Sequence, residues 1–276
     1  EGNAIIKELC GKLDIPYKQI GSLVLAFDEE QEELVKELFR RGTENGVPGL
    51  RILTAEEVFS MEPNVSREVK SALYAPSAGI ISPWELAIAQ AETAVKNGAK
   101  VLLNTEVTGI RKTDGGFSIE TNGEPIEARY VVNAAGVDAD DIHDMVAPHT
   151  FDVHPGRGQY YLLDKSEGER LGKVTFQCPD ERGKGVLVTP TVHGNLLVGP
   201  NSESVMGEDT ATTAEGLAYV QETAKKSVPS IDFRASIRNF AGVRAKTDAQ
   251  DFIIGQAEGA PGFFDLAGIC SPGLSS

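Results

Sequence analysis

Cysteine is scarce: Cys10, Cys178 and Cys270 are the only three in 276 residues. Their odd number and wide spacing exclude a disulfide framework and a paired zinc knuckle. The four histidines, at 143, 149, 154 and 193, show no i, i+4 pair with a carboxylate at ligand spacing, so no metal site is expected. Basic residues are outnumbered, 26 Lys and Arg against 41 Asp and Glu, giving a formal net charge of −15. A surface of that sign disfavours nucleic-acid phosphates and anionic lipid as partners, while a local basic pocket stays compatible with it. No apolar run approaches a membrane span, and no basic-plus-apolar start reads as a signal peptide. A soluble, cytoplasmic protein without a transmembrane segment is expected. There is no Ser nucleophile elbow and no Walker loop. A strand followed by G-x-G-x-x-G and a helix is missing too, since the nearest glycine cluster, HPGRGQ (154–159), precedes a strand.

What is present is a 41% hydrophobic composition, enough for a large core or two closely connected domains. Helix starts are well marked. Asp28 with Gln31, Thr54 with Glu57, Ser82-Pro83-Trp84-Glu85, and Thr212 with Glu215 each place a capping residue before an apolar pattern. The first residues, from Glu1 to Pro16, also read as helix. AKVLLNTEVTGIRKT (99–113) reads as one or two strands, and GGFSIETNGEPIEARYVVNAAG (115–136) as two strand patterns around turns at Gly115-Gly116 and Asn122-Gly123, the last strand entering a central sheet. From 151 to 200 the short β-branched and aromatic runs predict an antiparallel sheet. The fold class is therefore mixed α/β (α+β).

One junction poses a chemical question. VVNAAGVDADDI (131–142) is an apolar strand that ends in Ala134-Ala135-Gly136 before a helical pattern. A backbone without bulk permits close approach, either of a ligand or of the next layer of the fold.

Four stretches together, APSAGIISPWELAIAQAETAVKNGAKVLLNTEVTGI (75–110), YVVNAAGVDADDI (130–142), HPGRGQYYLLD (154–164) and the run from Phe240 to Ser276, resemble the flavin-dependent D-amino-acid oxidase superfamily. That superfamily includes glycerol-3-phosphate dehydrogenases, 2-hydroxyglutarate oxidases and glycine oxidases. GVLVTPTVHGNLLVGP (185–200) and AGICSPGLSS (267–276) look most like the anaerobic-type glycerol-3-phosphate dehydrogenase group. The resemblance implies a substrate domain over 1–66 and 149–240, with an antiparallel sheet and helices, interleaved with a partial FAD-binding domain over 67–148 and 241–276. By the same resemblance, Val107 faces the adenine of FAD and Ala134, Ala135 and Gly136 pass beside its diphosphate and ribose. Gly268, Ile269, Ser271, Pro272, Gly273 and Leu274 would contact the flavin, ahead of a helix whose N-terminus points at the ring.

For catalysis, the resemblance puts a substrate-binding Arg at Arg244, and Arg157 and Tyr160 where the sheet faces the flavin. No base is assigned, because His154 and His193 lie in strand-rich segments without a partner motif. The expected activity is oxidation of glycerol 3-phosphate to dihydroxyacetone phosphate by hydride transfer to FAD. A 2-hydroxy-acid or glycine oxidase, and a non-catalytic binding module, are the alternatives. The expected partners are a small anionic substrate and an electron-transfer subunit, through which the protein would lie at the membrane periphery. Without G-x-G-x-x-G and the C-terminal helix, the chain reads as a piece of a longer flavoenzyme that by itself binds FAD weakly or not at all.

Overall fold

The computed structural model describes residues 2–179, 185–249, 251–271 and 273–275. Local signals decide where its elements start. Helix α1 (Gly2–Lys12) buries Ile6 and Cys10, and strands β1 (Tyr17–Gln19) and β2 (Ser22–Ala26) follow. Helix α2 (Glu29–Glu44) opens on Asp28, whose carboxylate accepts the Gln31 amide N–H at 2.8 Å; the Gln31 side chain reaches back to the Phe27 amide at 3.0 Å. Strand β3 (Arg51–Thr54) passes directly into α3 (Ala55–Met61). There the capping box is complete: the Thr54 hydroxyl accepts the Glu57 amide, and the Glu57 carboxylate accepts the Thr54 amide at 2.8 Å. Thr54→Ala is expected to lower stability by about 1 kcal/mol and Thr54→Ser to restore it, read from denaturant midpoints. Strands β4 (Ser71–Ala75) and β5 (Gly79–Ile81) lead to α4 (Pro83–Lys96). Only half of the box expected at its start forms, because the Glu85 carboxylate turns instead to His193 at 3.2 Å.

Strands β6 (Val107–Thr113), β7 (Gly116–Thr121) and β8 (Ile126–Ala128) form an antiparallel meander. The strand expected from residue 99 starts only at Val107. Val101, Leu102 and Leu103 are exposed and Asn104 sits at φ 54°. The β6–β7 register ends with Val107 opposite Thr121. Beyond it the Asn122 amide carbonyl takes the Glu106 N–H, which closes the ladder. Strand β9 (Val131–Asn133) then runs through the small-residue turn and one 3₁₀ turn, Gly136–Asp138, into α5 (Ala139–Asp144).

The strand-rich stretch becomes β10 (Val153–Leu163), β11 (Val174–Gln177), β12 (Leu187–Pro190) and β13 (Leu196–Gly199). After β14 (Glu203–Ser204) comes α6 (Ala214–Ser227), capped by Thr213 and not by Thr212: its hydroxyl accepts the Gly216 amide at 3.1 Å. Strands β15 (Ser236–Thr247), β16 (Ile253–Gln256) and β17 (Phe263–Ala267) follow.

Packing divides this mixed α/β chain into two units: Glu1–Gln90, Gly158–Ser202 and Thr210–Gly242 make the first, and Ala91–Arg157, Glu203–Asp209 and Val243–Ser276 the second. The bounds of these packing units differ from 1–66 with 149–240 and 67–148 with 241–276. Residues 67–90 belong to the first unit because β4 pairs with both β2 and β3. Residues 149–157 belong to the second, where the Val153 amide donates to Asp140 and the start of β10 pairs with β14.

In the first unit the sheet order is β10-β13-β12-β11-β2-β4-β3, antiparallel apart from the parallel pair β11–β2. Leu23, Leu25, Leu163, Val188 and Val198 are fully buried beneath Val220 and Ala224 of α6. The second unit holds the β6-β7-β8 meander and a sheet of order β16-β17-β9, in which β17 and β9 are parallel. Among the described residues strand β9 thus lies at the edge of a three-stranded sheet, where the sequence suggested a central sheet. Phe117 and Phe263 meet edge-on at 6.1 Å in this unit's core. Among the described residues no helix is long and apolar enough to cross a membrane.

Candidate functional site

Parallel pairing of β9 with β17 sets Asn133 opposite Asp265, so the segments leaving both strands emerge at the same end of that sheet. The first is Ala134-Ala135-Gly136. All three residues are exposed, Gly136 sits at φ 66°, and nothing stands within 4 Å of where its Cβ would be. On its inner side the turn is clamped. Asn133, 2% exposed, donates from Nδ2 to Ala139 O at 2.7 Å and to Asp265 Oδ1 at 2.9 Å, while its Oδ1 accepts the Ala135 N–H at 3.3 Å. A bare backbone held from beneath fits close approach by a ligand. The surroundings are acidic: burial, then Glu208, Asp141 and Asp140, push the Asp138 carboxyl above its ordinary range. Such a field suits hydroxyl donors better than phosphate oxygens. Helix α5 is six residues long, too short to add a strong dipole here.

The second segment begins at Gly268, φ 65°, where a Cβ would stand 2.8 Å from Thr247 Oγ1. A Cβ on Gly273 would stand 2.5 Å from Ile269 Cγ2, so both glycines let the loop fold tightly on its neighbours. Ile269, Ser271 and Leu274 are exposed. Pro272 lies outside the described residues. Gly273–Ser275 forms a single 3₁₀ turn. Val107, at the start of β6, is half-buried against the cluster of Ile110, Phe117 and Phe263.

The three residues expected to act on substrate are placed differently from one another. Arg157 is 6% exposed and committed to two carboxylates, Nη1 to Asp209 at 2.7 Å and Nη2 to Glu203 at 2.9 Å, while its Nε is buried without a hydrogen bond. Both of its terminal nitrogens are thus already engaged by carboxylates. Arg244 is half-buried on β15 in the same unit, and Lys246, two residues on, shares its strand face. The Lys246 stem crosses Gly156, where a Cβ would lie 2.9 Å from Cε. Tyr160 belongs to the first unit, stacked on Phe240 at 5.1 Å and 11°, with Trp84 edge-on to Phe240 at 6.0 Å.

His154 and His193 are exposed and paired with Asp248 at 2.8 Å and Glu85 at 3.2 Å. Among the described residues no group of three His, Cys, Asp or Glu side chains could hold a metal ion. Burial, followed by Asp28, pushes the Cys178 thiol up to about 11, which removes it as a nucleophile at neutral pH. Sequence reasoning missed Asn133, Asp265, His143, Lys246 and Phe240. The signal available for the first of these was a polar residue ending an apolar strand directly before Ala134.

Comparison with known proteins matches these features over the full length. The model of the DAO family, described as FAD dependent oxidoreductase, matches residues 1–276. A glycerol 3-phosphate dehydrogenase of Caloramator mitchellensis is 50% identical over 100% of this chain and 58% of its own length. A glycerol 3-phosphate oxidase of Mycoplasma genitalium is 30% identical over 98% of this chain and 73% of its own. Among solved structures, dithionite-reduced L-α-glycerophosphate oxidase of Mycoplasma pneumoniae with FAD bound superposes with a TM-score of 0.92 at 30% identity, covering 99% of this chain and 74% of that one. This chain therefore spans a little under three fifths of the dehydrogenase and about three quarters of the oxidases. With its bare β9 turn and its β17 loop at one sheet end, the chain belongs to the DAO family of FAD-dependent oxidoreductases.

Proposed function

We propose that this chain is the substrate-binding and cofactor-facing part of an FAD-dependent enzyme that oxidises glycerol 3-phosphate to dihydroxyacetone phosphate. The observation carrying this reading is the 50% identity, over the whole chain, to a glycerol 3-phosphate dehydrogenase. Ala134 to Gly136 would meet FAD through backbone and, given the acidic neighbourhood, at a ribose hydroxyl better than at the diphosphate. Gly268, Ile269, Ser271, Gly273 and Leu274 form the second cofactor-facing segment, with Pro272 assigned by resemblance alone and Val107 nearer the adenine.

When bound, FAD supplies a ring that accepts the hydride, a proton with two electrons. Oxidation takes the hydrogen from substrate C2 with its electron pair and the hydroxyl proton separately, so the substrate must be held at a fixed distance and angle. Arg244 is the residue for that task, because its planar fork matches two phosphate oxygens. Arg157 holds Glu203 and Asp209 in place and acts on the site through them. Tyr160 is held in place within the first unit by stacking on Phe240. The small anion expected as binding partner would be the substrate, and oxygen or a partner subunit at the membrane periphery would be the electron acceptor.

The test uses the full-length protein loaded with FAD and mixed anaerobically with glycerol 3-phosphate, 2-hydroxyglutarate or glycine while flavin absorbance is followed. Bleaching by glycerol 3-phosphate is the expected result. Bleaching by another substrate alone overturns the substrate assignment, and no FAD binding favours the non-catalytic module. Oxygen uptake then separates an oxidase from a dehydrogenase.

A further inference from the structure

Asp265 and His143 are 3% and 2% exposed and lie in the second unit. They belong to a hydrogen-bonded set that no step above uses. Asp265 Oδ2 is 2.8 Å from His143 Nδ1, and Asp265 Oδ1 accepts from Asn133 Nδ2. His143 Nε2 lies 2.9 Å from Pro148 O and 3.1 Å from Thr150 Oγ1. The imidazole packs against Phe151 at 5.1 Å and Phe263 at 6.5 Å. Apolar residues of equal volume commonly replace such a buried pair without loss of stability, so stability alone does not explain four polar side chains here. What the set supplies is direction. A carboxylate only accepts, as does the Ala139 carbonyl, so Asp265 and Ala139 O together make Asn133 present its NH₂ to them and its Oδ1 to Ala135 N–H. Turned over, the amide would set its NH₂ against the Ala135 N–H, and the turn would lose its inner tie. His143 in turn fixes the Asp265 rotamer and joins it to residues 148–150.

We infer that Asp265, held by His143, is a positioning residue that orients Asn133 and through it fixes the Ala134–Gly136 turn in the shape that receives FAD. This rests on the reading of that turn as a cofactor-facing segment. Asp265 touches no reacting atom, and its effect is on cofactor affinity.

The experiment titrates full-length apoprotein with FAD, reading the dissociation constant by flavin fluorescence and hydrogen exchange over residues 134–136. Asp265→Leu is expected to weaken FAD binding by about tenfold, the equivalent of one lost hydrogen bond at the turn, and to speed exchange of the Ala135 amide. Asp265→Asn keeps an acceptor for Asn133 and lets the imidazole change tautomer, so it holds affinity within about threefold. Asn133→Ala removes the same tie from the other side and serves if Asp265→Leu does not fold. Ile110→Ala, a cavity in the same unit's core, lowers the unfolding midpoint yet leaves affinity unchanged at temperatures well below it. Absence of FAD protection over 134–136 in the unsubstituted protein overturns the reading of the turn. Protection there, with affinity and Ala135 exchange unaltered in Asp265→Leu, overturns the positioning role alone.

Discussion

If the chain acts as proposed, Arg244→Ala is expected to lower kcat/KM of the full-length protein for glycerol 3-phosphate by about 10²- to 10³-fold, the loss of two charge-assisted hydrogen bonds of about 1.5–3 kcal/mol each after partial compensation by water. The effect is large because the phosphate is the only charged handle on a small substrate, and the barrier depends on where C2 is held. Both parameters respond: KM rises because ground-state binding weakens, and kcat falls because the remaining contacts let C2 wander. Arg244→Lys recovers only part, since an ammonium supplies one point of attachment where the guanidinium supplies a fork. Glycerol, which lacks the phosphate, provides the control. Its slow oxidation is expected to be equal in Arg244→Ala and the unsubstituted enzyme. Equal losses for both substrates would show that Arg244 shapes β15 and does not hold phosphate.

How much of this was legible in the sequence depends on the range of each interaction. The cap at Asp28 and the box at Thr54 were legible because donor and acceptor lie three residues apart. Residues 101–106 show the limit. Val-Leu-Leu has the composition of a strand, but a strand exists only where a partner continues the ladder, and β7 ends opposite Val107. At the site, the bare turn after Asn133 was readable from residue size alone. Its clamp was not, since Asp265 is 132 residues away in sequence and adjacent only through the parallel register of β9 and β17. Arg157 shows a second limit. GRGQYY announces a cation beside glycines, and only the tertiary structure reveals that Glu203 and Asp209 already occupy it.

The turn at Gly115-Gly116 separates what sequence and structure each establish, and it carries the largest expected effect on stability. In the sequence the two glycines are equivalent members of one turn signal. In the structure Gly115 has open space around its missing Cβ, whereas Gly116 sits at φ 144° and a Cβ would stand 2.2 Å from Ala128 O and 2.7 Å from Arg129 Cα. Those neighbours are backbone atoms at the end of β8 and cannot swing aside as a side chain would. Gly116→Ala is therefore expected to destabilise by about 3 kcal/mol or more, combining steric overlap with a backbone angle that side-chain-bearing residues rarely adopt. In thermal unfolding this is a fall of roughly 6–12 °C for a chain of this size. Gly115→Ala should be neutral or raise stability by about 0.4–1 kcal/mol, because it restricts the unfolded chain without meeting anything in the folded one. The damage at Gly116 also has a direction. The residue after it, Phe117, pairs with Ala128 and packs edge-on against Phe263 of β17, the strand that lies beside β9. Displacing β8 from Gly116 thus loosens the core of Phe117 and Phe263, and the loss is expected in the unfolding midpoint. Equal midpoints for the two alanine variants would mean that the β7–β8 contact differs from the one described.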